Sequence, residues 1–229
     1  SATTTAATTI VTVTNKDAAI ALNNSTINGA IDGSALGTNK FIMTTAGDTT
    51  LNGAVSNTAI TNSGTLNATL ANMTNSSLTN NSTFNLTGNL TQNIGGEGTT
   101  VLQTDSAVGA NRTVSGTLNL NGKTLGMGNA TTTSEPTYDT LTVANLTGDG
   151  NLTLDVDAST TTGSTDTINI TDGSDNDSAL TITALNLTLP TSDDDYTYEK
   201  AILTGHTTGA TLALSQDVID QYYSSEDIN

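Results

Sequence analysis

The chain has no cysteine and no tryptophan, aromatics at 3%, and five lysines and arginines among 229 residues. Without cysteine there is no disulfide framework, no thiolate metal site and no cysteine nucleophile. With so few aromatics, a wide round core would be hard to fill. A core one or two side chains across needs only Leu, Ile, Val, Ala and Thr. No run reaches the roughly 18 apolar residues of a membrane helix. No signal peptide is visible, and SATTTAATT at the start reads as a mature N-terminus left after cleavage behind small residues. Twenty-two acids face the five bases, for a net charge of −17. The acids are unevenly spread. Up to Ala130, Asp17, Asp32, Asp48, Glu97 and Asp105 are nearly balanced by Lys16, Lys40, Arg112 and Lys123; beyond it, all other acids face Lys200 alone. Such a surface disfavours DNA, RNA and anionic lipid and favours cations.

What is abundant is Thr, Asn, Ser and Gly. Thr favours strands, while Asn and Gly favour turns, so the composition points to an all-β chain with many turns. Charged residues are 12%, too few for a typical disordered chain. One motif recurs as Thr26-Ile27-Asn28, Thr50-Leu51-Asn52, Thr65-Leu66-Asn67, Thr83-Phe84-Asn85 and Thr117-Leu118-Asn119. A step near 18 relates Ile60 to Leu78 and Asn62 to Asn80, and a step of 27 relates DTLTV (139–143) to DTINI (166–170). Each unit is polar, apolar, polar. Side chains alternate across a strand, so the apolar residue points in and its neighbours point out. Three short strands with their turns, about 18 to 24 residues, close one coil, and coils stack at about 4.8 Å with equivalent residues in ladders. On this reading Leu78, Phe84 and Leu90 point inward, and asparagines line the turns and outer faces.

A solenoid has two open ends, and an open end is an unpaired sheet edge. The sequence therefore predicts an N-terminal arm and first strand (1–14), a capping helix (15–24), a β-helix (25–214) and a C-terminal cap or edge (215–229). The capping helix is read from Asn15 as N-cap before AAIAL, with Ala19 and Leu22 facing the first coil. At the other end, Ser215 precedes Val218, Ile219, Tyr222 and Tyr223, which fall on one helical face. The segment SATTTAATTIVTV is β-prone, uncharged and free of proline. Thr9, Ile10, Val11, Thr12 and Val13, with Tyr222 and Tyr223, are thus candidates for self-association by strand addition.

The order strand, NKDAAIALNN, TINGAI resembles the opening of right-handed parallel β-helix proteins of microbial surfaces. The stretch Leu146 to Asp157, LTGDGNLTLDVD, followed by Asp166 to Ile170, resembles the later coils of autotransporter passenger domains. The resemblance covers most of the chain and implies a right-handed parallel β-helix (β-solenoid). It also implies an extracellular or cell-surface location and an adhesive or structural role; the residues themselves point to a non-enzymatic chain.

Chemical motifs are sparse. N-x-S/T occurs at sixteen positions, among them Asn67, Asn72, Asn85, Asn89, Asn145 and Asn186, yet alternation around a buried Leu creates that motif without any glycan. Asp172, Asp175 and Asp177 lie in a Gly/Ser-rich turn and are the candidate ligands for calcium, a hard cation that takes carboxylate and carbonyl oxygens from flexible turns. Asp193, Asp194 and Asp195 form a second acidic group, and Asp155 and Asp157 flank Val156 on one face. Arg112 and His206 are each the only residue of their type. A polysaccharide-cleaving enzyme would need paired carboxylates at a defined separation. The expected partners are further copies of the chain, with calcium aiding assembly by terminal strand exchange, or a ligand on a neighbouring surface.

Overall fold

A computed structural model describes residues 9–128, 136–159, 163–189 and 200–222. Nearly all of its strand pairs are parallel and join segments one coil apart. Up to Thr117 the coils carry short strands on three faces, except that the coil through Leu90 has none on the third. One face runs through Ala19–Asn23, Phe41–Ala46, Thr58–Asn62 and Ser77–Asn80. The second runs through Thr26–Ile27, Asp48–Leu51, Thr65–Ala68, Thr83–Leu86 and Thr99–Leu102. The third holds Thr9–Thr12, Ala30–Asp32, Val55–Ser56 and Met73–Thr74, and resumes further along as Ser106–Val108 and Thr124–Met127. Burial alternates along every face. Met43, Ile60, Leu66, Phe84, Leu86 and Leu118 are at most 1% exposed, and the predicted inward residues Leu78 and Leu90 are buried with them.

The ladder is fixed by register. Leu78 pairs Ile60, and Asn80 pairs Asn62; Thr83-Phe84-Asn85 pairs Thr65-Leu66-Asn67; Thr140 to Val143 pairs Thr167 to Ile170. These are the steps of 18 and 27 seen in the sequence. The match of Thr50-Leu51-Asn52 to Thr65-Leu66-Asn67 does not survive: Thr50 lies on Asn67 and Leu51 on Ala68.

Coil length changes along the rod. Hydrogen-bonded neighbours in successive coils are 16 to 24 residues apart in the first half and 27 to 35 apart in the second. The change begins at Arg112–Asn119, one strand that spans the first two faces, with a register shift between Val114 and Thr117. There the corner between the faces flattens. Gly116 is required at this corner, because a Cβ would stand 2.1 Å from the carbonyl oxygen of Gly98 in the coil before. Beyond it, long strands carry the fold: Thr140–Thr147, Gly150–Asp157 and Ala179–Thr188.

The ends differ from expectation at one point and meet it at the other. Residues 15–24 form no capping helix. Asn15 closes a turn instead, its Oδ1 accepting from Asp17 N–H at 3.0 Å and its carbonyl from Ala18 N–H at 3.1 Å. Ala19–Asn23 then runs as a strand, with Ile20 on Met43 and Leu22 on Thr45. A helix would have left the whole edge of Phe41–Ala46 unpaired; the alternation Ile20-x-Leu22 satisfies it. At the C-terminus a helix does form, α1, over Gln216–Tyr222. Ser215 Oγ accepts from Val218 N–H at 3.3 Å as its N-cap, and Val218 is buried. The Tyr222 hydroxyl donates to Leu185 O at 2.7 Å and accepts from Leu187 N–H at 3.3 Å. The helix therefore satisfies the edge of Ala179–Thr188 that the last strand, Thr211–Leu214, leaves unpaired, since that strand covers only Ala179 to Ile182.

Candidate functional site

Three features carry chemistry beyond core packing: polar ladders, an acidic turn, and a group of buried carboxylates. The outer ladder stands on the second face. Asn67 donates to Asp48 at 2.8 Å, Asn85 to Asn67 at 2.7 Å, and Gln103 to Asn85 at 3.1 Å. Beside it Thr65, Thr83, Thr99 and Thr117 stack in one half-exposed column. An inner ladder lies behind the corner. Thr45 Oγ1 donates to Asn62 at 2.9 Å and Asn62 donates to Asn80 at 2.8 Å; all three side chains are buried. These two asparagines therefore line the interior, not the turns or outer faces the sequence suggested. They reach the carbonyls that the corner turns inward: Asn62 reaches Gly64 O and Thr83 O, and Asn80 reaches Ser82 O and Thr99 O.

The N-x-S/T asparagines divide in the same way. Asn67 and Asn85 stand in the outer ladder, whereas Asn80, Asn145 and Asn176 are buried. A glycan on any of the latter three would have to displace the wall of the coil.

The acidic turn lies open. Asp172, Asp175 and Asp177 are exposed, beside a hollow of about 380 Å³ lined by Thr147, Gly173, Ser174 and Thr208 among others. Asn176 between them is turned inward, accepting from Leu146 N–H at 3.0 Å and donating to His206 O. The structure does not bring the three carboxylates together. Among the described residues no group of three or more His, Cys, Asp or Glu side chains is arranged to hold a metal ion. His206 is exposed on the facing turn. Asp193 to Asp195 lie outside the described residues.

Of the self-association candidates, Thr9 to Thr12 form the first described strand and, among the described residues, pair only with Ala30 to Asp32. Val13 continues the strand with its side chain buried, and Tyr222 is engaged within the chain. Tyr223 and the arm 1–8 lie outside the described residues.

Of the buried carboxylates only Asp155 is named from the sequence, as part of a face shared with Asp157, and not Asp139 or Asp166. Asp155 and Asp166 are 0% exposed and Asp139 is 8% exposed. Asp155 sits on the outward side of its strand. It is covered because the segments at 137–139 and 163–166 fold back over it. Asp166 N–H donates to Asp155 O at 2.9 Å, and Val156 makes an antiparallel bridge to Thr165. Asp166 Oδ1 accepts from Asp139 N–H at 2.7 Å and its Oδ2 from Asp155 N–H at 2.6 Å. Asp155 Oδ2 accepts from Thr137 N–H at 3.2 Å and its Oδ1 from Asn186 at 3.0 Å. Burial pushes the Asp166 carboxyl up to about 6, with the Asp155 and Asp139 charges adding to the rise and two backbone N–H groups opposing it. Burial raises Asp139 as well, against a Gly128 N–H bond and the pull of Arg112. Asp157, paired with Asp155 in the sequence reading, is held low by Ser159, which donates both its hydroxyl and its N–H. A signal was present: Asp139 and Asp166 open the two copies of the 27-residue repeat, a step that stacks them one coil apart.

Stacked parallel coils, side-chain ladders and a narrow aliphatic core define an all-β parallel β-helix. A model of the pertactin family matches residues 115–210, the half with the long coils. No curated protein and no solved structure matches. The chain is a parallel β-helix that resembles autotransporter passenger domains.

Proposed function

We propose that the chain is part of a secreted or surface-displayed rod that acts by contact, as an adhesive or structural module, and carries no catalysis. The observation that carries this reading is the second face. Its columns Thr65-Thr83-Thr99-Thr117 and Asn67-Asn85-Val101-Asn119 carry no charged side chain beyond Asp48, which stacks on Thr65 at their start, on a chain of net charge −17. A surface of this kind offers repeated hydroxyl and amide groups at the coil spacing, about 4.8 Å, to whatever lies against it. The family match supports the surface setting. The polysaccharide-cleaving alternative gains nothing from the carboxylates: among the described residues, the ones that converge are inside the wall. The test is attachment of protein-coated beads to epithelial monolayers. Binding above albumin-coated beads, reduced when Thr83 and Thr99 are both replaced by Lys, is the expected result. Beads that behave like the albumin control would remove the adhesive role.

A second reading is end-to-end assembly. Among the described residues, Thr9–Thr12, Ala19–Asn23 and Thr26–Ile27 each pair on one side only, around a hollow of about 320 Å³ lined by Val11, Val13, Ile20 and Phe41 among others. At the other end Leu212 and Leu214, in register with buried Leu180 and Ile182, are each 40% exposed. Joining one end to the other in a second copy is a heterologous contact, which propagates rather than closes. Sedimentation of the intact chain should then show species beyond the monomer that Leu214→Lys abolishes; a monomer at all concentrations rules the reading out.

A further inference from the structure

We propose that Asp139, Asp155 and Asp166 form a proton-held clasp that fastens the segments at 137–139 and 163–166 onto the outer side of Gly150–Asp157. This goes beyond the contact role. Three facts of geometry carry it. First, three carboxyl groups share one water-excluded site. Asp155 and Asp166 also converge on Gly128: a Cβ there would lie 2.6 Å from Asp155 Oδ2 and 3.2 Å from Asp166 Oδ2, and Gly128 has φ +57. Second, Asp139 Oδ2 is buried without a hydrogen-bond partner. Third, the compensating charge is small. Among the described residues the charged and titratable groups facing the site are Arg112, Asp157, Lys200 and Tyr138. Arg112 acts on Asp139, and its Nε is itself buried and unpaired. Lys200 acts on Asp157, and its ammonium donates to Gly163 O at 2.7 Å. The Tyr138 phenol is neutral, with its ionisation pushed up by burial and by the neighbouring acids.

Three ionised carboxylates in a buried site, with Asp157 beside them and, among the described residues, only Arg112 and Lys200 as cations near, is a costly arrangement, and the direct way out is to bind a proton from solvent. The carboxyl that takes it loses its charge, and with it the repulsion from its two neighbours. Asp166 sits between the other two, its oxygens already fixed by the Asp139 and Asp155 N–H groups, and is the member raised to about 6. The sign follows. The folded-state value lies above the ordinary 3.8, so the stabilisation is complete below about pH 4 and is lost as pH rises through about 6. The clasp is tight in mild acid and slack at neutral pH.

The experiment is a pH titration of the intact chain from 4 to 8 with two readouts. Carboxyl carbon NMR of the aspartates should show one cluster carboxyl with a midpoint near 6. Chemical unfolding should show the folded-to-unfolded ratio falling roughly tenfold to a hundredfold across that window. Asp166→Asn, which removes the titrating carboxyl, should flatten that fall. Cluster carboxyls that all titrate below 5 in the wild-type protein overturn the proposal whether or not the variant folds. So does an Asp166→Asn variant that folds and keeps the wild-type slope.

Discussion

Asn62 Oδ1 accepts from Thr45 Oγ1 and Gly64 N–H, and its amide is shared among Gly64 O, Asn80 Oδ1 and Thr83 O, all behind the corner of the coil. Truncating it to Ala strands buried acceptors in two neighbouring coils. Each orphaned group costs about 1–3 kcal/mol, so Asn62→Ala should lose about 2–4 kcal/mol in a urea titration. Asn85→Ala on the half-exposed outer ladder should lose under about 1 kcal/mol, because water replaces its partners. Equal losses would mean that the inner ladder has no special weight. The inward position of Asn62 could be read from parity: it stands two residues after Ile60, on the same side of the strand. Polarity argued for the outside, and parity won because corner carbonyls point inward and need donors. Asp155 is the opposite case. Its parity is outward, and it is buried only because distant segments fold over it, which no local pattern announces.

Among the elements, the alternating strands and their steps of 18 and 27 were legible because one-residue shifts would turn every core side chain outward. The match of Thr50 to Thr65 failed because like letters recur on a strand two residues apart, so identity alone cannot fix the register. The N-terminal helix failed for a related reason. AAIAL satisfies both a short helical face and a period of two, and the unpaired edge of Phe41–Ala46 decided between them. The C-terminal helix was legible because Ser215 and Val218 have only one consistent role. Its anchor is Tyr222, whose hydroxyl both donates and accepts on one strand edge. Tyr222→Phe should lower stability by about 1–2 kcal/mol and increase amide exchange at Leu187, whose donor would lose its acceptor. Unchanged exchange at Leu187 would show that the edge is protected by something other than α1.

Over the whole molecule the acids crowd the half with the long coils, and calcium was the cation the sequence suggested for Asp172, Asp175 and Asp177. With those carboxylates splayed on an open turn, the melting temperature in millimolar calcium should match that in chelator to within about 1 °C. A larger rise would show that the turn rearranges to gather them. The backbone hydrogen bonds between coils run along the rod, and the coils of the second half are longer than those of the first. Under tension applied to the two termini, those bonds open one coil after another rather than sharing the load side by side. Each released coil of 18 residues adds about 60 Å of slack, and each of 27 to 35 residues about 90–120 Å. A cell or particle tethered through such a rod would be held by a ratchet of small yielding steps, coarser toward the end with the long coils, instead of by a bar that snaps.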